Sequence, residues 1–204
     1  MESSSDVRLG NKGRGRFSEY SFSQTVHKKT LILGDISTGK TRLTVRLLQN
    51  ALKSSRPEEI TVIDMAPEKT FHHGKAIGGK ITDMIKLPLA VRVLQPRKVN
   101  APRHAARDRD ELLHQVQQNV MSIEESIDQF LSRATPILFI NDLSLYFQSG
   151  RFEKAFKAMD KADTFVANAY YGTTLENDLG TGVSAVERKI IENIAGRVDL
   201  VIRL

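Results

Sequence analysis

The chain contains no cysteine, which removes disulfides, zinc ribbons and thiol catalysis from consideration together. No apolar run approaches the ~18 residues of a membrane span. The opening residues, MESSSDVRLG, lack the apolar core of a secretory signal. These absences predict a cytoplasmic chain without a membrane span. Histidine is sparse, and the adjacent His72 and His73 diverge from one another with no further His or Cys close in sequence, which argues against a metal pair. No internal repeat is present. Charge, by contrast, is plentiful. A net charge of +6 favours polyanionic partners in general, namely nucleotides, nucleic acid or anionic membrane surfaces, without choosing among them.

At 204 residues the chain is long enough for one domain with a substantial core. Residues 1–26 are rich in Ser, Gly and charge, with Arg8, Lys12, Arg14 and Arg16 grouped around a GRG sequence. They read as a flexible basic N-terminal arm, suited to a nucleic-acid or protein partner, with Phe17, Tyr20 and Phe22 able to pin part of it to the body. Residues 27–204 then form the folded domain.

The stretch Leu31 to Leu48, LILGDISTGKTRLTVRLL, organises that domain. Gly34, Gly39, Lys40 and Thr41 fit the spacing G-x-x-x-x-G-K-[ST], after an apolar run and before a helical pattern. Four residues between two glycines let the backbone wrap a phosphate, with successive N–H groups pointing inward and the helix N-terminus behind them. The expected nucleotide contacts are Gly34, Asp35, Ile36, Ser37, Thr38, Gly39, Lys40, Thr41 and Arg42. Lys40 would reach the β and γ phosphates, and the Thr41 hydroxyl would ligate Mg²⁺.

A second short apolar run, Ile60 to Asp64, completes a strand–helix–strand unit, so a parallel sheet is expected. Asp64 would sit at the carboxyl end of its strand, bracing the next loop or contacting Mg²⁺. FHHGKAIGGK, residues 71–80, reads as a flexible basic surface loop able to close over phosphates. Leu89 to Leu94 reads as a strand bounded by Pro88 and Pro96. Residues 97–109 carry five arginines or lysines, one of which could act as a charge clamp. From Asp110 to Leu131 apolar residues recur every three or four positions, predicting one long amphipathic helix or two joined at Met121 to Ser122.

Pro136 to Ile140, PILFI, is the most apolar strand candidate and ends in Asn141 and Asp142. An apolar strand ending in acid holds the Mg²⁺ hydration shell in phosphate-loop proteins. In one register Asn141 takes the metal side and Asp142 the base; in the other Asp142 is the metal-side acid. Arg151 would point to the site or cap a short helix. Asn168, at the end of a strand TFVANA, would sense a γ phosphate, orient water or serve structure. Val183 to Ile194 predicts a last helix before a strand from Val198 to Ile202.

Through Gly34 to Thr41 and PILFIND the chain resembles the P-loop NTPases, and the separation of Lys40 from Asp142 resembles their RecA-like branch. The layout INDLSLYFQSGR, TFVANA, VDLVIRL is similar to that of ATP:corrinoid adenosyltransferases, although the phosphate loop differs from theirs and Asn141-Asp142 stands where they pair acids. The resemblance implies a three-layer α/β/α P-loop NTPase fold with a mainly parallel sheet, and Mg-ATP as ligand. No N-K-x-D follows the loop, which disfavours GTP, and the extra loop lysine of ParA-like ATPases is missing. The activities expected are a slow or partner-stimulated ATPase with Lys40 and Asp142 catalytic and Thr41, Asp142 and Asp64 at the metal, a nucleotide-dependent switch with negligible turnover, or an ATP-dependent small-molecule kinase or transferase. An oligomer is compatible with each.

Overall fold

The apolar runs become strands that are buried on both faces, as a parallel sheet covered by helices requires. The computed structural model describes residues 17–72 and 75–204, with backbone alone at 72 and 75–77. In chain order the elements are β1 (Lys29–Gly34), α1 (Lys40–Ser54), β2 (Ile60–Asp64), β3 (Thr70–His72), β4 (Lys75–Ile77), β5 (Arg92–Leu94), α2 (Pro102–Ala105), α3 (Arg109–Ser132), β6 (Ile137–Asn141), α4 (Ser144–Phe147), α5 (Glu153–Lys161), β7 (Thr164–Tyr170), α6 (Val183–Ala195) and β8 (Leu200–Arg203).

Six strands form one sheet in the order β5-β2-β6-β7-β1-β8, every pairing parallel. Alternate residues face opposite layers. Leu31, Leu33, Leu138, Ile140, Phe165 and Ala167 pack with Val120, Ile123, Ile127 and Phe130 of α3 and with α5 and α6. Ile32, Phe139, Val166 and Ile202 pack with Leu43, Leu47, Leu48 and Ala51 of α1. The result is a three-layer α/β/α arrangement.

The apolar face of α3 therefore covers the sheet, and the helix runs unbroken through Met121 and Ser122. It starts where Asp108 accepts the Glu111 N–H at 2.8 Å, an N-cap of the usual kind.

Four boundaries differ from expectation. Residues 17–26, expected within the arm, pack on the body: Phe17 and Phe22 pin them to the α1 side of the core, as their aromatic character allows, and the Phe22 ring stacks on Phe139 at 6.2 Å. The rest of the basic arm lies outside the described residues. The strand expected from Leu89 shortens to three residues, and Leu89 itself is fully exposed. The 71–80 loop contains an antiparallel hairpin, β3 with β4, too short for periodicity to reveal; His73 lies outside the described residues. The last strand begins at Leu200, two residues later than expected.

Because all six strands point the same way, Gly34, Asp64, Asn141 and Tyr170 end at one edge of the sheet, the edge where α/β folds place ligands.

Candidate functional site

The loop from Gly34 to Thr41 crosses this edge, and from Ile36 onward it lines a cavity of about 400 Å³. Its path demands glycine at both ends. A Cβ on Gly34 would sit 2.6 Å from Thr38 Oγ1 and 2.9 Å from the Leu204 carbonyl oxygen. At Gly39, φ is 101° and a Cβ would come 2.7 Å from the Phe17 ring. Ser37 also has positive φ, at 57°. α1 begins at Lys40 and its first intrahelical bond is Leu43 N–H to Gly39 O, so the amides of Lys40, Thr41 and Arg42 have no acceptor within the helix.

Lys40 folds back over the loop and donates to the Asp35 carbonyl at 2.6 Å. Desolvation lowers its pKa, while Asp142, Asp35 and Glu187 pull it back up. Asp35 itself does not turn into the cavity. Its Oδ1 accepts from Ile36 N–H, and its Oδ2 accepts from Thr173 N–H, Thr174 N–H and Thr174 Oγ1. Burial raises the Asp35 pKa, but these bonds outweigh it and the net shift is downward. Asp35 thereby clips the loop to the segment after β7, where Gly172 leaves no room for a Cβ.

At the end of β6, Asn141 and Asp142 have different surroundings. Thr41 Oγ1 faces Asn141 Oδ1 at 3.3 Å. The Asn141 amide nitrogen donates to Asp64 Oδ1 at 2.7 Å and to Gly79 O at 3.2 Å, while its oxygen also accepts from Asn168 Nδ2 at 2.9 Å. The residue beside Thr41 is thus the neutral Asn141, with a carboxylate one strand behind it. Asp64 is buried, takes a second bond from Ile81 N–H at 2.6 Å, and does not line the cavity. Burial raises its pKa against the pull of Asn141 and Ile81.

Asp142 does line the cavity. Its backbone has φ of 60°, an uncommon value for a residue with a side chain. Asn168 holds that turn from both sides: Asn168 Oδ1 accepts Asp142 N–H at 3.1 Å and the Asn168 carbonyl accepts Leu143 N–H at 2.9 Å. The carboxylate accepts from Ser144 Oγ at 2.7 Å. Burial raises its pKa; Ser144, Lys40 and Arg103 oppose the rise.

The opposite wall was not anticipated in detail. Of the basic residues at 97–109, Arg103 alone is drawn deep into the protein, 5% exposed, and forms two 3.0 Å bonds to the Glu187 carboxylate. Arg97, Arg107 and Arg109 turn instead to Glu125, Glu111 and the Gly180 carbonyl. Gln148 Nε2 donates to Glu187 at 2.8 Å. The Arg103 guanidinium and Lys40 Nζ lie 4.9 and 5.9 Å from the centre of the same Tyr170 ring. Burial pushes the Glu187 carboxyl up to about 7, with Arg103 and Gln148 opposing. One signal for Glu187 existed in the sequence: it falls four residues after Val183 and three before Ile190, on the apolar face of α6, whereas Val186 is 41% exposed.

Arg151 neither reaches the cavity nor caps α5; it pairs with Glu124 of α3 at 3.1 Å. Lys80 pairs with Glu68. Arg42 is exposed at the cavity rim. Among the described residues no three His, Asp or Glu side chains converge as a metal cage. Comparison of the chain with protein-family models and with curated proteins gives no match, so the functional reading rests on this geometry.

Proposed function

We propose that the chain is a P-loop protein that binds Mg-ATP and turns it over slowly, by hydrolysis or phosphoryl transfer coupled to a partner or second substrate. The observation that carries this reading is Lys40. It is a desolvated cation lying over a glycine-bounded loop, at the open N-terminus of α1, on the ligand edge of a parallel sheet. A cation and a fan of helix amides without intrahelical acceptors suit a polyphosphate. The lack of an N-K-x-D sequence after the loop favours adenine over guanine.

The donor set also fits magnesium, which commonly takes one or two protein oxygens and completes its shell with water and phosphate. Thr41 Oγ1, with Asn141 Oδ1 beside it, would hold the ion, Asp142 would order its water, and Asp64 would act through Asn141. When bound, the ion would neutralise charge developing on the transferred phosphoryl group. Lys40 and the loop amides bind and orient the phosphates. Asp142, already shifted upward by burial, is suited to order and accept a proton from an attacking water. Asn168, between β6 and β1, fixes the angle at which Asp142 enters the cavity.

One observation favours the switch reading over fast turnover: the residue facing Thr41 is Asn141, not a carboxylate. Calorimetric titration with Mg-ATP tests the central claim. Lys40→Ala should weaken ATP at least about tenfold while thermal stability is unchanged or raised, since a desolvated charge is lost. Unaltered ATP affinity would remove the basis of the assignment. Single-turnover hydrolysis, with and without nucleic acid, then separates enzyme from switch: a rate equal to buffer in both leaves the switch.

A further inference from the structure

Stability alone is a weak explanation for the buried Arg103–Glu187 pair. Two charges taken out of water rarely gain more than apolar residues of the same volume would. Its location suggests another purpose. The pair stands between two cavities: Arg103 lines the main one beside the loop, and both residues line a second of about 230 Å³ on the side of Gly172 and Arg188.

Arg103 is also incompletely used. Of five guanidinium donors, the bonds among the described residues are Nη2 to both Glu187 oxygens and Nη1 to Ser184 Oγ at 3.3 Å, which leaves Nε–H and one Nη1–H uncommitted in a residue that lines the cavity. Its helix, α2, has only four residues, so little structure resists a small displacement. The Tyr170 ring beneath it is fixed by Leu175 N–H donating to the phenol oxygen at 2.8 Å. Across that ring stands Lys40. The Asp142 carboxylate acts on both cations, and a bound phosphate would be a second anion within reach of the two.

The far end of the network is unsatisfied as well. Gln148 Nε2 holds Glu187, yet among the described residues Gln148 Oε1 is buried without a donor, in a residue that lines the main cavity. A buried acceptor left open marks a resting arrangement that a rearrangement can complete. If Arg103 turned away, Gln148 would still hold Glu187. The Glu187 carboxyl, pushed up to about 7, would meet the loss of its cation by taking a proton from solvent, and that new O–H could serve Gln148 Oε1.

We propose that Arg103 is a charge clamp for the terminal phosphate of a nucleoside triphosphate bound at the Lys40 loop, held in reserve by Glu187 and exchanging that carboxylate for the phosphate. Arg103 reads the difference between triphosphate and diphosphate, and α2 and the Glu187 face of α6 move with it. The inference rests on the nucleotide reading above.

The test is the ratio of Mg-ATP to Mg-ADP affinity, measured by calorimetry on the full chain. Arg103→Ala should lower ATP affinity about ten- to hundredfold, as loss of a charge-assisted bidentate contact does, and leave ADP within about threefold. Glu187→Gln, which weakens the competitor and keeps an acceptor for Gln148, should raise ATP affinity a few-fold. A purely structural pair predicts otherwise: both substitutions would lower stability alike and leave the ATP-to-ADP ratio unmoved, and that result overturns the clamp. If Arg103→Ala does not fold, the double substitution Arg103→Met with Glu187→Met removes the pair without orphaning either charge. It should show the same loss of ATP preference, and retention of that preference also overturns the clamp. Failure of the underlying reading looks different, since wild-type protein would then bind neither nucleotide or Lys40→Ala would bind both normally.

Discussion

Asn141 illustrates how one amide can do work that neither a carboxylate nor an apolar residue could. Its oxygen serves Thr41 and Asn168 while its nitrogen serves Asp64 and Gly79. Asn141→Asp alone would set two carboxylates at the 2.7 Å separation now held by a hydrogen bond. That should cost more than ~2 kcal/mol in urea unfolding. Adding Asp64→Asn restores a donor between the strands and moves the charge to the Thr41 side. The double variant should regain most of the stability and hydrolyse ATP faster than wild type in single turnover; a slower double variant would contradict the metal-side placement of residue 141. At Gly39 the prediction is simpler. Gly39→Ala meets both an unfavourable φ and the Phe17 ring, so it should lower stability by at least ~1 kcal/mol, read as a fall in the denaturation midpoint. Asp35 was expected among the nucleotide contacts for its place in the loop. Its side chain instead ties that loop to Thr173 and Thr174, a bond across 138 residues and more that spacing cannot reveal.

Elements were legible where burial imposes a pattern. β1, β2, β6 and β7 are short apolar runs because both faces of each are covered, and α1 and α3 repeat at helical spacing because one face of each meets the sheet. The elements that were missed or misdrawn are β3, β4, α2 and α4, three or four residues long, the shortened β5 and the late start of β8. So few residues complete no period, and their conformation follows from neighbours. For α3 the entry signal was local. Asp108→Ala should remove the bond to Glu111 N–H and cost ~1 kcal/mol, while Asp108→Asn or Ser should recover most of it; equal loss in all three would show that the cap does not anchor the helix.

For the molecule as a whole, the buried carboxyls set the response to pH. Asp64, Asp142 and Glu187 all have raised pKa values in the folded state. A raised acid binds more protons folded than unfolded, so its contribution is fully present below the unfolded value and is lost as pH rises through the folded one. For Glu187 that window runs from 4.5 to about 7. Asp35 and Glu124 are shifted down and act in the opposite sense, losing their contribution as pH falls through their lowered values. Stability should therefore peak in mildly acidic solution and decline toward neutrality. In urea titrations between pH 4.5 and 7.5, Glu187→Gln should flatten that decline. An equally steep decline in the variant would assign it to other groups.

The amino-acid order by itself determined the alternation of buried strands and one-sided helices, and it placed two glycines, a lysine and a threonine at a strand-to-helix junction. Both are local matters of burial and backbone freedom, written within a dozen residues. Tertiary structure decided which charges meet. The pairing of Arg103 with Glu187, and of Asp64 with Asn141, joins residues 84 and 77 positions apart. Such contacts depend on strand order, and many orders satisfy the same apolar pattern. Only the assembled sheet, with β7 between β1 and β6, brings Asn168 against Asn141 and sets Tyr170 beneath two cations.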